Sequence, residues 1–158
     1  MSGAPTMARS RRTCILVEGD PLLSTLLCEQ IAQECRIETI TGPREVLVMN
    51  KVRENAQASL FYLGEALLTE CRVRLASSVT GIGLILGAHR TRAYELAVID
   101  AAFCLPELLQ AQTGWLELLE REEVRLAAVC EQTRGVLAAT RVEFSRMLTP
   151  DERREGVA

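Results

Sequence analysis

The sequence predicts an α+β fold in which an N-terminal helix and C-terminal helices pack on an antiparallel sheet of about five strands. Apolar residues alternate within residues 69–75 and 82–86, which is the periodicity of half-buried strands. Ala93, Ala97 and Ala101 then recur at every fourth position, which is the periodicity of one helix face. Short loops between neighbouring strands indicate antiparallel pairing, because parallel pairing needs long crossover connections.

The amino-acid composition limits the class of protein to which the chain can belong and the kinds of partner that it can bind. The chain has 158 residues, of which 48% are hydrophobic and 25% charged, values typical of one globular domain with a sizeable core. Its formal net charge of -3 disfavours nucleic-acid binding, which needs a basic face. The apolar runs are shorter than the roughly 20 residues that cross a membrane. We therefore expect a cytoplasmic protein with no nucleic-acid partner and no membrane partner.

The two ends of the chain predict the domain boundaries. Residues 1–12 are small, polar and basic, which predicts a disordered N-terminal tail. Residues 150–158 begin with a proline and are rich in charged residues, which predicts a frayed C-terminal tail. Residues 13–149 are then expected to form a single domain.

The N-terminal helix is predicted to begin at Asp20 and Pro21, because Asp is a good N-cap and proline suits the first helical position. Apolar residues at helical spacing continue it to about Cys35. Five segments with strand character follow, and Gly42 and Pro43 predict a turn between the first two. The five segments are residues 36–40, 46–53, 60–63, 69–75 and 82–86.

Two further helices are predicted after the sheet. The first runs from about Arg90 to Cys104 and ends before Pro106, and the second runs from near Gly114 to about Leu148. The apolar stripe of the second helix is longer than a small domain needs to cover, which predicts docking on a partner or on a second copy of the chain. The structural or interface candidates on these helices are Asp100, Trp115, Phe144 and Met147.

The junction between the last strand and the next helix is a candidate phosphate site. It contains Gly87, the single histidine His89, and two arginines, Arg90 and Arg92. Free N–H groups at a helix start and guanidinium groups are donors that suit a phosphate. The alternative is that Gly87 makes a turn and the arginines are solvated or pair with acidic residues. His89 has no Ser or Cys nucleophile that the sequence pairs with it, so no catalytic residue is predicted.

Asp100 is a carboxylate in an otherwise apolar helical run. Burying an unpaired carboxylate costs several kcal/mol, so Asp100 needs a partner of opposite charge. We therefore expect a structural salt bridge between Asp100 and one of the arginines. A catalytic role would need a second acid, and the sequence presents none beside it.

The cysteines indicate no metal centre. All six are scattered without a Cys-x-x-Cys pair, which is typical of reduced, buried thiols in the cytoplasm. With a single histidine the chain lacks a closely spaced ligand set, so no metal site is predicted. A P-loop and a complete dinucleotide fingerprint are also absent from the sequence, so no cofactor is predicted on this chain.

Several short blocks along the chain together resemble one known family. They are Leu-Gly-Glu-Ala at 63–66, Leu-Thr at 68–69, Val-Arg-Leu at 73–75, Leu-Gly at 86–87, Ala93, Ala97, Asp100-Ala101, and Thr-Arg-Val-Glu-Phe at 140–144 followed by Met147. In this order and spacing they resemble the PhnG family, subunits of the bacterial carbon–phosphorus lyase core complex. The chain departs from many relatives at residues 55–58, where it has Asn-Ala-Gln-Ala in place of a Gly-Gly-Thr-Gly turn.

The resemblance implies a role in phosphonate breakdown. PhnG-like subunits work with PhnH-, PhnI- and PhnL-like proteins to displace adenine from ATP with an alkylphosphonate, and a PhnJ-like radical iron–sulfur enzyme later cleaves the carbon–phosphorus bond. The nucleosidase chemistry is assigned in this family to the PhnI-like chain. The resemblance therefore implies a non-catalytic subunit of a transferase, with ATP as co-substrate of the complex.

Two alternatives stay open beside the resemblance. One is a stand-alone homodimeric protein that binds a phosphorylated metabolite at residues 87–92. The other is an adapter without ligand contacts.

Overall fold

The computed structural model describes residues 7–76 and 79–139, and it confirms the α+β class. The chain divides into two compact units, Met1–Leu126 and Ala127–Ala158, and the predicted domain of residues 13–149 spans parts of both. The first unit contains the whole sheet. The elements are α1 Arg9–Glu18, α2 Pro21–Glu34, β1 Ile37–Arg53, β2 Leu60–Leu75, β3 Val79–Leu86, α3 Arg90–Ala102, a 3-10 turn Pro106–Leu108, and α4 Leu109–Ala139.

The sheet has three long antiparallel strands in the order β1-β2-β3, so the prediction of about five strands is wrong. The predicted turn at Gly42 and Pro43 lies inside β1, where two shifts of register between Thr39 and Arg44 accommodate the extra residues. Proline is tolerated there because β1 is an edge strand. The predicted third and fourth strands are likewise one strand, β2, since the residues between them keep their pairing with β1.

The turn between β1 and β2 is closed without glycine. The N–H of Glu54 donates to the carbonyl oxygen of Ser59 (3.0 Å), and the hydroxyl of Ser59 donates to the Glu54 carboxylate (2.9 Å). Ala58 has a φ of 55°, a left-handed conformation that glycine adopts more easily. The departure from the family's glycine-rich turn is therefore accommodated by one alanine with positive φ.

Helix α1 corrects the prediction of a disordered tail for residues 9–12, whereas residues 1–6 of that predicted tail lie outside the described residues. The helix begins at Arg9, and within it Arg12, Ile15 and Leu16 are buried. The sequence is polar there, and its order comes from contacts with distant residues rather than from local pattern. Helix α2 begins as predicted, with the Asp20 carboxylate accepting the N–H of Leu22 (2.9 Å).

Helix α3 lies directly against β3, as the stripe of small residues predicts. A Cβ added to Gly81 would lie 2.1 Å from the carbonyl oxygen of Ala97, and one added to Gly83 would lie 1.9 Å from that of Ala93. No side chain larger than hydrogen fits at either position. The two glycines of β3 and the alanines of α3 therefore set the distance between helix and sheet.

Helix α4 begins at Leu109, five residues before the predicted Gly114, and continues through that glycine. Trp115 is buried within the first unit, where its ring centroid lies 5.8 Å from that of Phe103 and its Nε1–H donates to Gln30 (2.9 Å). In the second unit, the described residues belong to α4. None of the described helices combines the length and the apolar character that a membrane span needs. The predicted helix end, the C-terminal tail, Phe144 and Met147 lie outside the described residues.

None of the six cysteines lies in a disulfide bond, and three of them are exposed rather than buried. Cys71 is buried, and Cys28 and Cys35 are partly buried. The exposed thiols are those of Cys14, Cys104 and Cys130.

Candidate functional site

The junction between β3 and α3 is held together by a buried hydroxyl. Thr69 of β2 donates to the carbonyl oxygen of Gly87 (2.6 Å) and accepts the N–H of His89 (3.0 Å). The N–H of Gly87 donates to the carbonyl oxygen of Leu67 (2.8 Å), and Gly87 has a φ of +86°, which favours glycine. Two of the donors that a phosphate would need at this turn are therefore already bonded to β2.

His89 is the N-cap residue of α3, and its side chain is exposed. Its imidazole lies over Gly87, since a Cβ added to that glycine would be 3.2 Å from Nε2. The imidazole gives no side-chain cap to the helix. The imidazole of His89 is therefore open to solvent at this corner.

The two arginines of the junction point to different partners. Arg90 pairs with Glu45 of β1 at 3.1 Å, and both side chains are largely exposed. Arg92 donates to the carbonyl oxygens of Leu16 and Val17 at the C-terminal end of α1, the second at 3.4 Å. The Nε of Arg92 is buried without a hydrogen-bond partner in the described part of the chain. Phosphate contact by Gly87, His89, Arg90 and Arg92 stays a prediction.

Asp100 has the cationic partners that its burial demands. Arg9 donates to both of its oxygens (2.7 and 2.6 Å), Arg12 donates to Oδ1 (3.3 Å), and the backbone N–H of Ile82 donates to Oδ2 (3.1 Å). The salt bridge is confirmed, and its arginines come from α1, not from the start of α3. Arg12 also lies 4.3 Å from the centroid of the Phe103 ring.

The two arginines beside Asp100 have opposite pKa shifts. The hydrogen bond to Asp100 raises the pKa of Arg9, which is largely exposed. Burial lowers the pKa of Arg12, and the charge of Asp100 opposes that shift. Arg12 is therefore the member of this cluster whose charge is buried and compensated by the neighbouring carboxylate.

Glu95 is a second buried carboxylate, and it was not predicted from the sequence. It accepts hydrogen bonds from the hydroxyls of Ser24 (2.6 Å) and Thr25 (2.8 Å) of α2. Burial, followed by the charge of Glu95, raises the pKa of Cys28 to about 11. The available signal was a glutamate inside the apolar run of α3, the same signal that identified Asp100.

The buried polar groups therefore mainly stabilise the packing of the helices and the sheet. Asp100 joins α1 to α3, Glu95 joins α2 to α3, and Thr69 joins α3 to the sheet. Within residues 7–76 and 79–139, no three His, Cys, Asp or Glu side chains come together as metal ligands. The predictions of no catalytic residue and no metal on this chain stay predictions.

Comparison with known proteins relates the chain to a family and to a curated relative. Residues 7–149 match the family model described as "Phosphonate metabolism protein PhnG". A protein of Rhizobium meliloti (strain 1021) is 30% identical over 129 residues, which are 81% of this chain and 80% of that protein. It is named alpha-D-ribose 1-methylphosphonate 5-triphosphate synthase subunit PhnG.

Proposed function

This chain belongs to the PhnG family, and on that premise we propose that it is a subunit of the synthase that makes alpha-D-ribose 1-methylphosphonate 5-triphosphate from ATP and methylphosphonate, with displacement of adenine. The observation that carries the proposal is the extent of the match, which covers residues 7–149 of this chain and 80% of the Rhizobium meliloti protein. A likeness of that extent includes the whole fold of the first unit and not one shared motif.

In this proposal the chain is a non-catalytic subunit of a cytoplasmic transferase complex. ATP is a co-substrate of the complex, and the chain itself holds no cofactor. The engagement of Asp100 by two arginines and of Glu95 by two hydroxyls supports this assignment, because neither carboxylate is left to act as an acid or base.

The proposed partners are PhnH-, PhnI-, PhnJ- and PhnL-like proteins. The PhnI-like chain would perform the nucleosidase step, and the PhnJ-like enzyme would cleave the carbon–phosphorus bond afterwards. Co-expression of the tagged chain with these four proteins from the same bacterium tests the assignment. We expect one complex larger than any single chain in size-exclusion chromatography. Elution of the chain apart from all four would contradict the proposal.

Contact with the substrate phosphates is the finer part of the proposal. It is supported by the exposure of His89 and Arg90 at the start of α3. Arg92 contributes less to it, because its Nη2 already bonds to the end of α1. The bond between Arg92 and α1 also disfavours the alternative of a stand-alone protein that binds a phosphorylated metabolite, because such a protein would need both arginines for the phosphate.

A further inference from the structure

Strands β1 and β2 continue beyond the end of β3 as a two-stranded ribbon. We call residues 47–67, which include the turn between the strands, the arm. Strand β3 ends at Leu86, opposite Leu68, so no described strand pairs with the outer edge of β2 along residues 60–66. The backbone groups on that edge are a template for a further strand.

The arm is unusually apolar for a surface feature. Nine large apolar side chains on it are exposed by 37–66%, namely Leu47, Val48, Met49, Val52, Leu60, Phe61, Tyr62, Leu63 and Leu67. Taking about 200 Å² for a fully exposed large side chain, these nine together present on the order of 900 Å². That matches the roughly 800 Å² that each partner contributes to a standard interface.

Both faces of the arm are apolar. Leu47 pairs with Leu67 on one face, and their neighbour Val48 lies on the other. Nearer the turn, Phe61 and Val52 are cross-strand partners, and the adjacent Tyr62 lies on the opposite face. A flat partner surface would cover only one of these faces. A cleft is required to cover both.

We propose that the arm inserts into an apolar cleft of a different subunit of the synthase. This inference rests on the proposed function, which supplies the other subunits. The cleft must present aliphatic or aromatic side chains on two walls, and an extended segment of the partner would pair with residues 60–66 of β2. The arm contains two basic and two acidic residues, so its net charge is zero and apolar contact dominates its recognition.

A second copy of this chain is a less suitable occupant, because cavities on its described part are lined in part by charged side chains. Three such cavities each contain an arginine, which is Arg74 in the first, Arg121 in the second and Arg9 in the third. Covering a guanidinium with the apolar arm would bury its charge at a high cost. Two arms packed on each other would also leave one face of each in water.

The test compares charged substitutions on the arm with one elsewhere. Leu47→Glu and Leu63→Glu place a carboxylate on exposed arm positions, and Leu22→Glu does the same on α2, where the leucine is 72% exposed. Each tagged variant is co-expressed with the PhnH-, PhnI-, PhnJ- and PhnL-like proteins. We expect the arm variants to lose at least about tenfold in recovered complex, while Leu22→Glu recovers as much as wild type.

The other possible results of this experiment each contradict a different part of the proposal. If the arm variants recover as much complex as wild type, the arm is not the interface, although the proposed function stands. If the wild-type chain itself assembles with none of the four proteins, the proposed function is wrong, and the proposed role of the arm is then wrong as well. If the isolated chain is a dimer that the arm substitutions dissociate, a second copy occupies the arm and the inference is wrong.

Hydrogen exchange provides a readout that needs no substitution. Amides on the outer edge of residues 60–66 should exchange at least about tenfold more slowly in the wild-type complex than in the free chain, because a partner strand would bond them. Amides of α2 near Leu22 serve as the reference. Equal exchange of the arm amides in the free and assembled chain would overturn the inference.

Discussion

Arg9 and Asp100 form a two-point ion pair although 91 positions separate them in the sequence. The Nε and Nη2 atoms of Arg9 donate to the two carboxylate oxygens at 2.7 and 2.6 Å. Arg12, one turn further along α1, reaches the same carboxylate from a buried position. One carboxylate therefore holds two residues of α1 against α3, and it also accepts the N–H of Ile82 in β3.

Asp100→Asn is expected to destabilise the isolated chain by about 3–5 kcal/mol. The change removes the anion beside the buried guanidinium of Arg12 and leaves that charge without compensation. Urea unfolding followed by circular dichroism measures the loss. Arg11→Gln is the matched control, because Arg11 of the same helix pairs with Glu123 in an exposed ion pair, and no resolvable change is expected there. Equal losses in the two variants would contradict the account of Asp100.

Gly83→Ala is expected to destabilise the chain by about 1–3 kcal/mol or more. The new methyl group would lie 1.9 Å from the carbonyl oxygen of Ala93 and would force α3 away from the sheet. Gly114→Ala is the control, since nothing lies within 4 Å of that position in α4 and alanine favours a helix interior by up to about 1 kcal/mol. Opposite signs of the two shifts in melting temperature are expected, and a stable Gly83→Ala chain would refute the close packing.

Local pattern was sufficient to predict the elements whose periodicity is strong. Helix α2 and its N-cap Asp20, and the alanine stripe of α3, follow from the spacing of residues close in sequence. The strand count could not be predicted in this way. Gly42 and Pro43 are typical turn residues, and only pairing with β2 shows that the strand passes through them with a shift of register.

The sequence was sufficient to predict that Asp100 needs a cationic partner, but not which residues provide it. The apolar surroundings of Asp100 required a cation, yet only the fold brings Arg9 and Arg12 to it from a segment that looks disordered in the sequence. Thr69 and Glu95 escaped prediction for the same reason. A threonine in a strand and a glutamate in a helix are ordinary until their distant partners are known.

Arg92→Ala is expected to destabilise the chain by about 1.5–3 kcal/mol, the range for hydrogen bonds to charged groups. The guanidinium of Arg92 satisfies the carbonyl oxygens of Leu16 and Val17 at the end of α1. Arg90→Ala, which removes an exposed ion pair with Glu45, should leave the melting temperature within about a degree or two. A larger loss for Arg90→Ala than for Arg92→Ala would reverse the assigned roles.

Stability is expected to fall as the pH rises from about 9 to about 11, in part because of Cys28. The folded chain retains the thiol proton up to a pKa of about 11, whereas the unfolded chain releases it near the ordinary value of 9.0. The unfolded state therefore gains free energy across that window. Melting temperatures of wild type and Cys28→Ala at several pH values measure the effect, with a shallower fall in the variant. Identical slopes in wild type and Cys28→Ala would argue against the shift.

The central claim is that this chain is a synthase subunit without catalytic residues of its own, and adenine release tests it most directly. The assay supplies ATP and methylphosphonate to three preparations: the isolated chain, the PhnH-, PhnI- and PhnL-like proteins without it, and all of these together. The account predicts adenine release only from the full set, because the chain completes the assembly while the PhnI-like protein performs the chemistry. Release of adenine by the isolated chain, or undiminished release by the set that lacks it, would contradict the claim.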